Sequence, residues 1–305
     1  MLHSKKLAKI MRIVLYNYCI IHIFMTTLLV QSATSTEKNY THIVWDLGNV
    51  LLKADTAALS FEIGLADLAR YTLQGNNPLK LFNKLNDILG TLGQQEIPRG
   101  NLPVVSNGFT LPKITCDFFR GVINSENLIH ITRKKIDALY SERTAHAPTS
   151  SIEKQLIERL LNLLYNPACH QSYKKIVPAG LELVAQCAQQ KKADGSKAYT
   201  QILFANYERE GFEFLKKNQS TSAIFNYFDT HHCMISSMVQ SVKPHKDIFE
   251  KLIKYYQLNP QYTIIIDDDT HTLQTAELFG FTTIYVPNLQ LNLVEKQLKE
   301  LGVLP

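Results

Sequence analysis

The sequence predicts an α/β fold in which a parallel sheet is interrupted, after its first strand, by a long helical insertion. Three observations predict it. From Pro178 onward, strand and helix patterns alternate, which is the order of a parallel sheet with crossover helices. The first apolar run, THIVW, is β-rich and ends in Asp46 and a Gly turn, as a buried strand does. Between these, from about Lys53 to Tyr173, the pattern is helical with turn-rich breaks at GNNP, IPRGNLP and SNGFTLP. The 305 residues suffice for one large domain or two smaller ones.

Each element has its own signal. In the insertion, Ser150 and Glu153 read as a capping box, followed by the buried stripe Ile152, Leu156, Ile157, Leu160, Leu161 and Leu164. PAGLELVAQCAQQ opens with Pro178 and reads as a helix, and QILF is a strand ending at Ala205 and Asn206. A strand is expected near HHCMIS. After Lys243-Pro244 comes a helix, HKDIFEKLIKYYQL, whose apolar positions Ile248, Phe249, Leu252, Ile253 and Tyr256 keep helical spacing. TIIIDDD is a strand ending in Asp267, Asp268 and Asp269. The helix THTLQTAELF, stopped by Gly280, and a last strand TTIYV complete the pattern.

Composition excludes several classes. With 45% hydrophobic and 19% charged residues, the chain has the balance of a globular protein. Its formal charge of +5 is misleading as a sign of nucleic-acid binding. Lys5, Lys6, Lys9 and Arg12 precede any acid, and the remainder carries 28 Lys and Arg against 27 Asp and Glu. A nearly neutral body argues against a polyanion partner.

Residues 1–35 read as a secretory signal peptide: a basic start, the apolar run Cys19 to Val30, then small residues, with cleavage fitting after Ser32 or Ser35. Met11 is an alternative start, and an uncleaved N-terminal anchor over Ile13 to Val30 is the other reading. The expected location is therefore periplasmic or secreted, with membrane contact only through the leader. Cys116, Cys169, Cys187 and Cys233 then sit where disulfides are permitted, and they show no metal spacing. His231 and His232 read as ordinary strand or surface residues. Phe118, Phe119 and Tyr140 read as core rather than substrate platform.

Asp46 and the Asp267/Asp268 pair lie about 220 residues apart, yet both end strands of one parallel sheet, at the edge where such sheets bind ligands. Carboxylates gathered there repel one another unless a cation sits among them. Mg²⁺ answers that need, as a hard ion that takes carboxylate oxygens. Asp269 reads as the N-cap of the following helix.

With WDLGNVLL, LFANYE, SVKPHKDIFEKL and TIIIDDDTHTLQTAELFGF in this order, the chain resembles the haloacid dehalogenase-like (HAD) hydrolases over residues 41–287. Within them it is similar to phosphatases with a DLGN-type loop and a helical cap. The resemblance implies a Rossmannoid parallel-sheet core at residues 36–52 and 174–305, with an inserted α-helical cap at 53–173. It implies Asp46 as nucleophile and Mg²⁺ ligand, Lys243 as the catalytic charge stabiliser, Asp268 as direct ligand, and Asp267 as ligand directly or through water. Gly48 would lend its carbonyl to the metal, and Asn206, Gly48 and Asn49 would hold the phosphate. The implied function is an exported, Mg²⁺-dependent hydrolysis of small phosphomonoesters through an aspartyl-phosphate.

Two positions depart from that pattern. Gly48 stands where many relatives carry the acid that protonates the leaving group, an absence worth about 10²–10⁴-fold in rate. Ala205 stands where a Ser or Thr bonds the phosphoryl oxygens, a bond worth about 1.5–3 kcal/mol. They motivate a second reading, a catalytically degenerate HAD-fold binding protein. A third, 2-haloacid dehalogenation, needs no metal and fits the Asp pair least well.

Overall fold

The structure is a computed structural model that describes residues 39–92, 105–106, 109–141 and 148–305. The leader read at residues 1–35 and the break read at 97–103 lie outside the described residues. Among those described, no helix is long and apolar enough to cross a membrane.

The chain begins with β1 (His42–Trp45) and β2 (Leu52–Ala54), followed by α1 (Thr56–Ile63), α2 (Leu65–Leu73) and α3 (Lys80–Gly90). A two-residue antiparallel ladder, β3 (Val105–Ser106) with β4 (Phe109–Thr110), precedes α4 (Lys113–Phe119), α5 (Ser125–Ser141) and α6 (Pro148–Tyr165). Next come β5 (Lys174–Ile176), α7 (Pro178–Gln189), β6 (Thr200–Ala205) and α8 (Arg209–Lys217). β7 (Cys233–Ile235), one helical turn at Ser236–Val239, α9 (Lys246–Tyr256), β8 (Thr263–Asp267), α10 (Thr270–Leu278), β9 (Thr282–Tyr285) and α11 (Leu291–Glu300) end the fold.

Five strands form one parallel sheet in the order β7-β6-β1-β8-β9. β1 is therefore central, and the chain leaves it in one direction for β6 and in the other for β8. That reversal of strand order is the place where an open α/β sheet leaves a crevice at its carboxyl edge. Side-chain alternation gives the sheet two apolar faces. Ile43, Trp45, Leu203, Ile264 and Ile266 pack on one side, and Val44, Ile202, Phe204 and Ile265 on the other. Trp45 is fully buried, and its indole N–H donates to Gln201 Oε1 at 2.9 Å.

The helical section has its own apolar core, in which Leu85, Leu128, Ile136, Leu156, Ile157 and Leu161 are buried. The short ladder of β2 with β5 joins the chain where it leaves the sheet to where it returns. One expectation for this section, the capping box, is corrected at both of its residues. α6 starts at Pro148, so Ser150 lies inside the helix and not at the position before its first turn. Glu153 turns into the core and accepts hydrogen bonds from Tyr71 and Tyr140, each 2.6 Å, and from Lys84. Three donors satisfy a buried carboxylate better than one helix-end amide would. The β3–β4 ladder and α11, which packs Leu291, Val294 and Leu298 into the sheet's core, had no counterpart in the sequence reading. The four described cysteines are free thiols. Phe118 and Tyr140 are buried, in agreement with their reading as core.

Candidate active site

Register brings the carboxylates together. In the β1–β8 pair Trp45 faces Ile266, so the next residues, Asp46 and Asp267, leave adjacent strands side by side, and Asp46 N donates to Ile266 O at 2.9 Å. On the other flank Trp45 faces Leu203, which sets Phe204 beside Asp46.

The loop after Asp46 is pinned by its apolar residues. Leu47, Val50 and Leu51 are buried, and Leu51 N and Leu52 N both donate to Leu47 O. The first turn of α7 closes on this loop, for a Cβ on Gly180 would lie 2.3 Å from Val50 O. Only glycine allows that approach. The polar residues of the loop are left facing outward: Gly48 is exposed and Asn49 half-buried, with φ at 52°. Asn tolerates this left-handed conformation better than most residues. Its side chain donates to Asp268 Oδ2 at 2.8 Å.

Lys243 ties the site together. It is 4% exposed, and its Nζ lies 2.6 Å from Asp46 Oδ1, 2.7 Å from Asp267 Oδ2 and 3.1 Å from Phe204 O. An ammonium has three protons, so these three acceptors saturate it. Asn206 grips the backbone of the same residue: Lys243 N donates to Asn206 Oδ1 at 2.8 Å, and Asn206 Nδ2 donates to Lys243 O at 2.9 Å. These bonds give the Asn206 side chain a structural partner in the Lys243 backbone. The isolated turn geometry of LFANYE could not show that Lys243, 37 residues later, returns to claim both amide ends. Asn49 likewise has a protein partner, with its Nδ2 bonded to Asp268 Oδ2.

Asp46, Asp267 and Asp268 each offer an oxygen, all within 4.8 Å of one another. Burial pushes the carboxyls of Asp46 and Asp267 upward, Lys243 pulls both down, and carboxylate neighbours raise them again. Asp268 is pushed up to about 6, first by burial and then by Asp267. Burial acts to discharge Lys243, but its two carboxylates outweigh that and hold it protonated, above its ordinary pKa. Burial is the main cause of the upward shifts, and three carboxylates against one ammonium leave an uncompensated negative charge that adds to it. Hard oxygen donors and excess negative charge fit a divalent cation such as Mg²⁺. Asp269 is the N-cap of α10, as expected, accepting from His271 N at 3.1 Å and Thr272 N at 3.2 Å.

The two departures are visible in place. Ala205 is buried in the apolar cluster that holds Trp45 and Leu203 and offers no hydroxyl. A Cβ added to Gly48 would meet only Asp46 Oδ2, at 3.8 Å, so the position has room for a side chain beside the nucleophile candidate. His231 is exposed and His232 pairs with Asp229 at the surface, away from any of these contacts.

Residues 201–286, from β6 to β9, match the family model of haloacid dehalogenase-like hydrolases. Over that segment the chain is similar to haloacid dehalogenase-like hydrolases. The matched segment holds Asn206, Lys243, Asp267 and Asp268, and β1 with Asp46 lies before it. Similar solved structures include a HAD family enzyme of Bacteroides thetaiotaomicron in a magnesium complex, at 18% identity, covering 81% of this chain and 93% of that one, with a TM-score of 0.46. A predicted HAD-like family hydrolase from Porphyromonas gingivalis is 18% identical and covers 86% and 98%, with a TM-score of 0.47. An L-2-haloacid dehalogenase is 12% identical and covers 82% and 85%, with a TM-score of 0.43. No curated protein matches the sequence.

Proposed function

We propose that this HAD-like chain is a Mg²⁺-dependent phosphomonoester hydrolase, with Asp46 as nucleophile and small phosphorylated molecules as substrates. The observation that carries the reading is the group of Asp46, Asp267 and Asp268 at one sheet edge, with Lys243 bonded to the first two. Asp46 attacks phosphorus to form an aspartyl-phosphate and expels the alcohol, and water then cleaves the acyl phosphate to release inorganic phosphate. Lys243 orients Asp46 and balances charge around the transferring group. Asn206 acts as a positioning residue through the Lys243 backbone, and Asn49 holds Asp268. Asp46, Asp268 and the Gly48 carbonyl would hold Mg²⁺, with Asp267 direct or through water. The cation supplies Lewis-acid polarisation of the phosphoryl oxygens. The three carboxylates also favour a cation-dependent reaction over metal-free dehalogenation. The leader reading makes the enzyme an exported one, which mass determination of the mature N-terminus would test.

The reading is tested by Mg²⁺-dependent phosphate release from 4-nitrophenyl phosphate and a panel of sugar and nucleotide monophosphates. A folded protein that neither turns over these esters nor binds Mg²⁺ would instead be the degenerate binding protein suggested by Gly48 and Ala205.

Gly48 makes a second expectation. With no acid two residues after Asp46, esters with poor leaving groups should react slowly, and activated aryl esters should be favoured. Gly48→Asp is expected to raise turnover of alkyl phosphates by about 10²-fold, the low end of what general acid catalysis supplies, and to change aryl phosphate turnover little. Equal effects on both esters would show that leaving-group protonation is not what the chain lacks.

The raised carboxyl pKa values give a pH prediction. A carboxyl whose folded pKa lies above its unfolded value near 4 holds protons in the folded state that the unfolded chain has released. Stability from these groups is therefore greatest at acid pH and is lost as pH rises toward 7. For Asp268, pushed up to about 6, the loss spans about pH 4 to 6. The metal-free wild type should thus lose melting temperature relative to Asp268→Asn over this interval. Mg²⁺ should raise the melting temperature more at pH 7.5 than at pH 5, because protons compete for the same oxygens. A Mg²⁺ shift of equal size at both pH values would contradict this.

A further inference from the structure

Sheet register sets a second pair of strand ends side by side. In the β6–β7 pair Ala205 faces Ile235, so Asn206 and Tyr207 leave one strand as Ser236 leaves the next. Ser236 is fully buried, and its hydroxyl joins three backbone groups. Tyr207 N donates to it at 2.9 Å, and Phe119 O and Tyr207 O lie 2.6 and 3.1 Å away as acceptors. A hydroxyl has one proton to give, and the shorter bond goes to Phe119 O. That carbonyl ends α4, where a helix leaves its last C=O groups without intrahelical partners. The bond therefore completes α4 and rests the helical section on the turn after β7.

The same hydroxyl bears on the charged centre through the backbone. Tyr207 N belongs to the planar peptide that joins Asn206 to Tyr207, so holding it fixes that plane and with it the path by which Asn206 leaves β6. The Asn206 side chain in turn holds Lys243 N at 2.8 Å and Lys243 O at 2.9 Å. Ser237 N donates to Tyr207 O at 3.3 Å, and Ser241 N to Ser236 O at 3.1 Å. The stretch from Ser236 to Lys243 is thus fastened at both ends to one dipeptide, Ser236 to Tyr207 and Lys243 to Asn206. Lys243 Nζ keeps its bonds to Asp46, Asp267 and Phe204 O only if this frame places it to within about 0.5 Å.

We propose that Ser236 is a positioning residue for Lys243, holding the ammonium between Asp46 and Asp267 through the Tyr207 N–H and the Asn206 clamp. An alanine at this position leaves the Tyr207 N–H and the Phe119 carbonyl without their shared partner, and the clamp loses its fixed end. The effect on turnover rests on the phosphatase reading, whereas the placement of the ammonium does not.

The test is a double-mutant cycle on Ser236→Ala and Asn206→Ala with a kinetic and a chemical readout. The first is kcat for Mg²⁺-dependent hydrolysis of 4-nitrophenyl phosphate. The second is the rate at which acetic anhydride labels the Lys243 amine in the metal-free protein, followed by mass spectrometry against the exposed Lys296, with alkylation of the buried Cys187 reporting global opening. Ser236→Ala is expected to lower kcat about tenfold and to raise Lys243 labelling about tenfold, the effect of one lost hydrogen bond, while Cys187 stays as inert as in wild type. Adding Ser236→Ala to Asn206→Ala should change either readout by no more than about twofold, because the clamp it acts through is already gone. Full and independent effects in both backgrounds, the behaviour of a residue that merely supports the fold, overturn the proposal. So does Lys243 labelling that is unchanged in Ser236→Ala or rises only together with that of Cys187. If the wild type hydrolyses no ester the phosphatase reading fails first, and the labelling cycle then decides the role of Ser236 by itself.

Discussion

Asp46→Asn is expected to abolish Mg²⁺-dependent phosphate release, lowering kcat by at least about a thousandfold, the scale seen when a nucleophile is removed. The amide keeps the shape of the carboxylate but cannot attack phosphorus. The variant should nevertheless fold. Its Lys243 retains Asp267 at 2.7 Å and Phe204 O at 3.1 Å, and one of the three crowded carboxylates has lost its charge. Its metal-free melting temperature should therefore equal or exceed that of the wild type at pH 7.5, so lost activity and lost structure are separable. Calorimetry should also show weaker Mg²⁺ binding, since the substitution removes an anionic ligand. Turnover that persists in Asp46→Asn would remove Asp46 from the chemistry.

Lys243→Met should damage both activity and stability. Among the described residues the lysine is the only side chain bonded to both Asp46 and Asp267, and all three of its partners are buried. Breaking a buried ion pair by removing one partner costs about 3–5 kcal/mol, because the remaining charge is left uncompensated. In a chain of this size that corresponds to a fall in melting temperature of about 10 °C. The deficit has a sign with pH. Without the ammonium the two carboxyls rise further in pKa, so the folded state gains protons as pH falls and the variant approaches wild type near pH 5. At pH 8 the gap should be widest, and saturating Mg²⁺ should narrow it. A variant as stable as wild type at pH 8 would show that Lys243 does not hold the two carboxylates together. Lys243→Arg should fail to restore activity, because a planar fork cannot reproduce three short bonds from one point.

The parts of the fold that were legible share a physical cause. Strands β1, β6 and β8 are buried on both faces, so their apolar runs are continuous and announce themselves without knowledge of their neighbours. Asp269 was legible as a helix cap because capping is a local bond, made two and three residues along the chain. Ser150 shows the limit of that logic. Its spacing to Glu153 satisfied a local rule, but Tyr71, Tyr140 and Lys84, distant in sequence, claimed the Glu153 carboxylate for the core. The β2–β5 and β3–β4 ladders are two or three residues long and carry no period to read.

Asp46, Asp267 and Asp268 stood out in the sequence because a carboxylate ending a buried strand is unusual enough to be conspicuous, and Lys243 entered through the resemblance of SVKPHKDIFEKL. What they do to one another was decided by tertiary structure. The β1–β8 register set Asp46 beside Asp267, and the return of the chain at residue 243 placed one ammonium between them. The roles of Asn206 and Asn49 were also decided there, since an amide looks the same in sequence whether it meets a ligand, a lysine backbone or an aspartate. Side-chain type and local period are properties of a short stretch of chain and can be read from it. The partner of a polar group is set by which distant segments the packed core brings within about 3 Å, and that distance exists only in the folded molecule.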